Sequence, residues 1–373
     1  MKKILIVVMS EISRDNRVLR QIAALKDEYS VSTIGFGQAP DSVKEHIPIP
    51  VELPYLPLNL RALAPHLVGL YTKSSQEIAA IKFVATQIGR FGPDLTILND
   101  ATALPLAESI TGPVLIDMHE YAPLESEEDW RFRLFLMKYY NWLCARYLQK
   151  ASIVTTVSRS LAHEYSRKFG VKTAVVLNAR EYCDLQVRKS TSRTLRLVHA
   201  GLASGARELH VTIEAVVNLP NISLDLYLVA APHQKSVLNR LFRLVQKTSN
   251  VRILNPVPNK ELPGVIRNYD LSVIFRPTRI TNNKLSMPNK LFESIQARVG
   301  IITSPNCEVA SFCKESGIGV SSDEYSSSSL SSLIQNISLE KVNELKLACD
   351  KVAKQINAES ESTKFREVVR SLI

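Results

Sequence analysis

Short apolar or β-branched runs alternate along this chain with stretches whose apolar residues recur at helical spacing. Residues 4–9 form an unbroken apolar run. Val31–Phe36, Leu95–Leu98, Val114–Ile116, Ile153–Val157 and Thr173–Leu177 are further segments of strand length. Between them, Val18, Leu19, Ile22, Ala23 and Leu25 make one helical face, and residues 101–110 are read as another helix. Ser158 opens a third, Leu161–Phe169, which Gly170 closes. A polar stretch at 179–194, which includes Arg188, Lys189, Ser190, Thr191, Ser192 and Arg193, interrupts the pattern and reads as a linker.

The alternation then starts again. Strands are expected at Leu195–Ala200, Leu224–Val229, Val251–Leu254, Leu271–Phe275, 301–303 and Ile318–Val320, with helices at Leu209–Leu219 and Gln234–Val245. Thr281–Ser286 reads as a polar loop. Pro288 opens a helix whose apolar face is Leu291, Phe292, Ile295 and Ala297, and Gly300 is expected to stop it. A Ser-rich stretch at 321–332 reads as a loop and helix cap, with helical segments to Ile373. Two successive βα series imply an α/β protein of two Rossmann-like domains. The expected division is 1–178, the linker 179–194, 195–355, and a final helical piece at 356–373.

Bulk properties sharpen this picture in four places. A length of 373 residues suits two domains with full cores. The excess of 46 Lys and Arg over 36 Asp and Glu, a formal charge of +10, favours anionic partners. Five scattered cysteines without a C-x-x-C pair read as reduced thiols, hence a cytoplasmic protein. The N-terminal apolar run is six residues long and is followed by Glu11, Arg14 and Asp15, which suits a buried strand better than a signal peptide. The first βα loop, Ser10–Arg17, contains no glycine, which argues against the G-x-G-x-x-G turn of a hydride-transfer enzyme. No Asp-x-Asp and no His/Cys cluster has ligand spacing, so no metal is expected.

The densest candidate chemistry lies at 286–303. Backbone N–H groups at a helix N-terminus, here at Asn289, favour an anion, and Lys290 adds a charge in the same turn. Glu293, three residues on, can accept hydrogen bonds from vicinal hydroxyls. That combination suits a nucleoside diphosphate; an ordinary βαβ crossover gives the same spacing. A second small-residue turn, with Gly201, Ser204 and Gly205, ends in Arg207, which can clamp a phosphate. His119, in Asp117-Met118-His119-Glu120, stands at the carboxyl end of a strand, where α/β folds place ligand chemistry.

Pro288-Asn289-Lys290-Leu291-Phe292-Glu293, with Gln296-Ala297 and Gly300-Ile301-Ile302, resembles the donor-site signature of GT-B glycosyltransferases, in particular the family 4-like (group 1) polysaccharide-building branch. The resemblance implies two Rossmann-like domains facing a central cleft, with the last helix crossing back to the first domain. It implies a nucleoside-diphosphate sugar donor, UDP favoured, no separate cofactor, and retention of configuration. Glu293 takes the ribose role, Arg207 and Lys290 the diphosphate, and His119 a place close to the donor sugar. Asn282 and Val257 fall on the donor side, Val257 in a loop whose backbone reads the base. Asp15, Asn16 and Glu120 fall on the acceptor side, although Asp15 and Asn16 also suit helix capping. The family has a second Glu eight residues before Glu293 and often an Arg directly after the first Gly of the phosphate turn; here these positions are Leu285 and Leu202. A sugar-nucleotide epimerase and a non-catalytic protein of the same fold are the alternatives.

Two stretches point outward. Residues 55–71, with Leu56, Leu58, Leu60, Leu63, Leu67, Val68 and Leu70 beside Arg61, His66 and Lys73, form an apolar segment with a basic edge. Such a segment lies on an anionic membrane surface or packs on its own sheet. Between Trp130 and Tyr147 aromatic and basic residues interleave, which suits core packing together with a bilayer contact better than nucleic acid. The expected partners are therefore a nucleotide sugar, a glycan or lipid-linked acceptor, and the inner face of a membrane.

Overall fold

The structure, a computed structural model, describes residues 1–57, 60–192 and 194–373. Leu58 and Arg193, named above, lie outside the described residues. Contacts divide the chain into two compact units, Met1–Leu177 with Ser360–Ile373, and Asn178–Glu359.

The first unit carries a parallel sheet of seven strands: β1 (Lys3–Glu11), β2 (Ser30–Phe36), β3 (Glu45–Ile49), β4 (Leu95–Asn99), β5 (Val114–Met118), β6 (Ile153–Thr156) and β7 (Thr173–Val175). Their order is β3-β2-β1-β4-β5-β6-β7. β1 lies at the centre and its residues Ile4–Val8 are fully buried, as expected for a parallel strand covered on both faces. The edge strand β3 contains Pro48, which hid it from the sequence reading; an edge tolerates the missing donor. The α-helices are α1 (Asn16–Leu25), α2 (Leu60–Leu67), α3 (Tyr71–Gln76), α4 (Ala79–Phe91), α5 (Met137–Tyr147) and α6 (Arg159–Phe169). Residues 101–109, with Pro105 at their middle, wind as a 3-10 helix rather than the expected α-helix.

The second unit repeats the design with β8 (Leu195–Leu202), β9 (Ile222–Val229), β10 (Val251–Leu254), β11 (Leu271–Ile274), β12 (Gly300–Thr303) and β13 (Gly319–Ser321), all parallel in the order β10-β9-β8-β11-β12-β13. Its helices are α7 (Leu209–Val216), α8 (Lys235–Val245), α9 (Leu262–Ile266), α10 (Thr281–Leu285), α11 (Asn289–Gln296), α12 (Glu308–Ser316), α13 (Ser327–Asn336) and α14 (Leu339–Gln355). The last helix, α15 (Ala358–Arg370), brings the chain back to the first unit. There Phe365 and Val369 join the core of Ile4, Ile6 and Ile22, and Arg370 pairs with Glu28 at 2.7 Å.

Three local expectations change. The described residues of 178–194 have no helix or strand but are strapped to the second unit. Cys183 N–H donates to Gln296 Oε1 (2.9 Å), Arg188 to Asn268 (2.6 Å), and Ser190 N–H to Asn343 (2.8 Å). Thr281–Leu285 is a helical turn with Asn282 and Asn283 buried, not an open polar loop. The helix opened by Pro288 ends at Gln296, before Gly300. The left-handed position after it is Arg298 (φ 60°), whose buried guanidinium donates to Asp350 (2.9 Å) and to the Cys183 carbonyl (2.8 Å). Those bonds hold a non-glycine residue in a conformation that costs about 1 kcal/mol or more. Gly300 instead permits close packing: a Cβ there would meet Leu345 Cβ at 2.8 Å and Leu271 Cδ2 at 2.9 Å.

Candidate functional site

The second unit gathers its cations at the carboxyl ends of β8 and β11 and at the start of α11. β8 delivers His199, buried among the strands. Its Nδ1–H donates to the Val273 carbonyl at 2.8 Å, which fixes the tautomer and leaves Nε2 as an acceptor. The Lys290 ammonium, from the first turn of α11, donates to that Nε2 at 3.2 Å. Burial and the neighbouring Lys290 charge hold His199 well below the usual histidine range, so the imidazole is neutral. Two residues beyond His199, Gly201 takes φ 152°, and a Cβ there would stand 3.0 Å from Lys290 Nζ. The bare Cα is what lets the lysine lie across the turn.

The turn after β8 tightens into a 3-10 helix, Gly205–Arg207, in which Arg207 N–H donates to the Ser204 carbonyl (3.1 Å). Ser204 is half-buried and Gly205 exposed. Arg207 donates to Asn283 Oδ1 at 3.5 Å, and Asn283 Nδ2 donates to the Pro277 carbonyl at 3.2 Å. Arg276, 4% exposed, donates to the carbonyls of Asn283 (3.2 Å) and Ser286 (3.3 Å), and so fixes the turn that leads into α11. Burial, then Arg207 and then Arg276, drive the Lys290 ammonium far below the ordinary lysine range; Glu293 opposes them. Three cationic side chains thus converge beside a helix N-terminus whose cap, Pro288, offers no side-chain acceptor. Such a site favours an anion of more than one charge.

Glu293 lies one turn along α11, its carboxylate 4.0 Å from Arg180. Arg180 in turn donates to Asn259 Oδ1 (2.8 Å) and to the Asn259 carbonyl, beyond the loop that holds Val257. Val257 packs on the cluster of Ala200, Leu262 and Ile266. Asn289 is exposed at the start of α11. Gly201, Arg207, Lys290 and the turn of Asn282 thus come together, with Glu293 and Val257 along the same helix end and loop. Sequence reasoning missed His199, Arg276 and Asn283. A lone histidine inside an apolar strand, an arginine before a proline and one asparagine of a pair carry no spacing signal.

The first unit presents a different chemistry at the carboxyl ends of β4 and β5. Asp100, at φ 66°, stands 2.8 Å from His119 Nδ1. That carboxylate, against the opposing effect of burial, raises the His119 imidazole to about 10, so it is a cation at neutral pH. Below it Asp117 is fully buried and takes two bonds of 2.8 Å from Arg17, with a third from Thr155. Arg17 also donates to the Val176 carbonyl (2.8 Å). This buried pair is a structural brace under His119. Glu120 is half-buried, and its carbonyl accepts from Tyr165 at 2.7 Å. Asp15 is the N-cap of α1: its carboxylate accepts from the N–H groups of Arg17 (3.1 Å) and Val18 (3.2 Å) and from Ser10 (2.7 Å). Asn16, the first residue of that helix, is exposed.

No protein-family model and no curated protein sequence matches this chain. Solved structures do. Sucrose-phosphate synthase from Thermosynechococcus elongatus is 12% identical, over all of this chain and 99% of that one, with a TM-score of 0.74. HepE from Anabaena, solved in complex with UDP and glucose, is 13% identical over all of both chains, with a TM-score of 0.72. An α,α-trehalose-phosphate synthase (UDP-forming) from Burkholderia vietnamiensis is 12% identical over all of both chains, with a TM-score of 0.68. The chain has the GT-B fold, two Rossmann-like α/β units with the last helix returned to the first.

Proposed function

We propose that this protein is a glycosyltransferase, similar to the family 4-like (group 1) branch. It moves a sugar from a nucleoside-diphosphate sugar, UDP favoured, to a glycan or lipid-linked acceptor in surface polysaccharide or glycoconjugate synthesis, with retention, at the inner face of a membrane. The observation that carries the reading is the convergence of Lys290, Arg207 and Arg276 on the uncapped start of α11, beside the bare Cα of Gly201. The structural neighbours that bind UDP support the choice of donor.

As the acceptor hydroxyl oxygen bonds to the sugar's anomeric carbon, the bond from that carbon to the diphosphate oxygen breaks with its electron pair staying on that oxygen, and the hydroxyl proton passes to the departing diphosphate. Lys290 and Arg207 stabilise the growing negative charge, and the N–H groups of Asn289 and Lys290 add the helix dipole. His199 and Arg276 act as positioning residues, His199 by receiving the Lys290 ammonium and Arg276 by holding the turn of Asn283 and Ser286. Glu293 receives the ribose hydroxyls, and the His119 cation serves the sugar or the acceptor. Leu285, apolar where the related pattern has a carboxylate, leaves recognition of the sugar hydroxyls to other groups.

The test begins with thermal shift against UDP, GDP, ADP and dTDP and continues with donor turnover. Arg207→Ala is expected to lower turnover a hundredfold or more with the fold intact. Wild-type turnover in that variant would refute the assignment, and conversion of donor without acceptor would identify an epimerase.

A further inference from the structure

The second unit carries a cavity on the outer side of the turn that follows β8. It holds about 830 Å³ and lies between the start of α7 and the length of α8. One wall is the turn itself, with Ser204, Gly205 and Glu208, continued by Leu209 and His210. The other wall is α8, which presents two stripes. Val237, Leu241 and Leu244 recur at helical spacing, and so do Arg240, Arg243 and Lys247, the last just beyond the helix end. Leu209 and Leu241 are buried and give the cavity an apolar lining, whereas the three cations are exposed.

Residues 226–260 contain Lys235, Arg240, Arg243, Lys247, Arg252 and Lys260 and no acid. The acids of the turn, of α7 and of the strands beside α8 are Glu208, Glu214 and Asp225. Glu208 lines the cavity, but its carboxylate accepts from Arg279 and from Tyr325, each at 3.1 Å. Asp225 accepts from Arg252 and Tyr269, each at 2.7 Å. Glu214 is exposed one helical turn beyond His210 and is not part of the wall. Arg240, Arg243 and Lys247 form no ion pair among the described residues. Three such cations along an apolar wall attract an anion of more than one charge. The volume is far larger than inorganic phosphate needs, and no Phe, Tyr or Trp lines the cavity to stack a nucleobase. The Leu and Val side chains can cover a carbon body, and Ser204, Gln246 and His210 can meet its hydroxyls.

We propose that this cavity is a second ligand site, which takes a small phosphorylated sugar with its phosphoryl group on Arg240, Arg243 and Lys247. The site shares a wall with the turn that carries Arg207. Arg207 N–H donates to the Ser204 carbonyl at 3.1 Å, and the next residue, Glu208, stands in the left-handed region at φ 46°. An occupant against Ser204 and Gly205 braces that turn. Less freedom is then lost when a diphosphate reaches Arg207, and UDP binds more tightly. This coupling rests on the donor reading of the turn given above; binding in the cavity does not.

The experiment is calorimetry of the full chain with glucose 6-phosphate, glucose, inorganic phosphate and UDP. Glucose 6-phosphate is expected to bind saturably, with glucose and inorganic phosphate about tenfold or more weaker, because each alone forgoes part of the contacts. Arg240→Gln with Arg243→Gln should weaken glucose 6-phosphate about tenfold or more. The melting temperature should not change, since both side chains are exposed, and UDP binding without the sugar phosphate should not change either. Lys314→Gln with Lys351→Gln, at exposed positions of α12 and α14, should alter neither ligand. With glucose 6-phosphate saturating, wild type should bind UDP about fivefold or more tightly than without it, a gain that Arg240→Gln with Arg243→Gln should lose. Absence of saturable glucose 6-phosphate binding would overturn the site. So would full binding in Arg240→Gln with Arg243→Gln, or binding that Lys290→Met abolishes, which would place the ligand at the start of α11. A UDP affinity that glucose 6-phosphate leaves unchanged or weakens would overturn the coupling. If UDP fails to bind wild type while glucose 6-phosphate binds through Arg240 and Arg243, the donor reading fails and the cavity site stands.

Discussion

Lys290→Met separates the role of this lysine in ligand binding from any role in folding, because the two effects have opposite signs. In the unliganded protein the ammonium is held by a neutral imidazole at 3.2 Å while burial, Arg207 and Arg276 oppose its charge. Removal of that charge relieves repulsion, and Met keeps most of the stem's packing, so thermal stability should stay level or rise. Turnover should fall. A positioned donor to a developing oxyanion is worth about 3 kcal/mol, which is about a hundredfold in rate. The double variant with Arg207→Ala should lose less than the product of the two single losses, since both groups serve one diphosphate.

The proton bookkeeping gives an independent readout. With the folded-state value of Lys290 below that of the unfolded chain, the unfolded state binds more protons between the two, so stability of the unliganded protein rises with pH over that window. A bound diphosphate supplies the missing opposite charge and raises the lysine again. UDP binding between the depressed value and the ordinary lysine value of about 10.4 should therefore take up a proton. Calorimetry in two buffers of different protonation enthalpy measures this uptake directly. Wild type should show a buffer-dependent heat that Lys290→Met lacks. Equal heats in both buffers for wild type, or a variant that melts several degrees lower with unchanged turnover, would refute the reasoning.

Gly201→Ala places a methyl 3.0 Å from Lys290 Nζ at φ 152°. It should weaken UDP binding about tenfold or more in calorimetry with little change in melting temperature, because Gly201 lies near the carboxyl end of β8 rather than in the core. His119, raised to about 10 by Asp100, should remain protonated through neutral pH. An NMR titration should show its ring shifts flat between about pH 6 and 8, and Asp100→Asn should bring the transition back toward the ordinary value of about 6.5. The sign for stability follows: the His119–Asp100 pair contributes fully below the unfolded histidine value and is lost as pH rises through about 10.

The sequence alone determined the two βα series, because buried parallel strands must be continuously apolar and their crossovers must repeat at helical spacing. The strand positions of both sheets, the Pro-containing edge strand β3 apart, were legible in this way, and the resemblance named Arg207 and Lys290, which the structure brings close enough for one charge to act on the other. Only the tertiary structure decided what lies beside those groups. His199 became the acceptor for Lys290 because β8 and β11 are neighbours in the sheet, and Arg276 holds the α11 turn because its strand ends beneath that turn. The close of α11 shows the same limit: glycine is the usual left-handed residue, yet Arg298 takes that place because Asp350 and the Cys183 carbonyl, both distant in sequence, hold its guanidinium. Spacing along a chain records what one helix or strand must bury. It carries no record of which strand ends meet, and that meeting is what assembles a site.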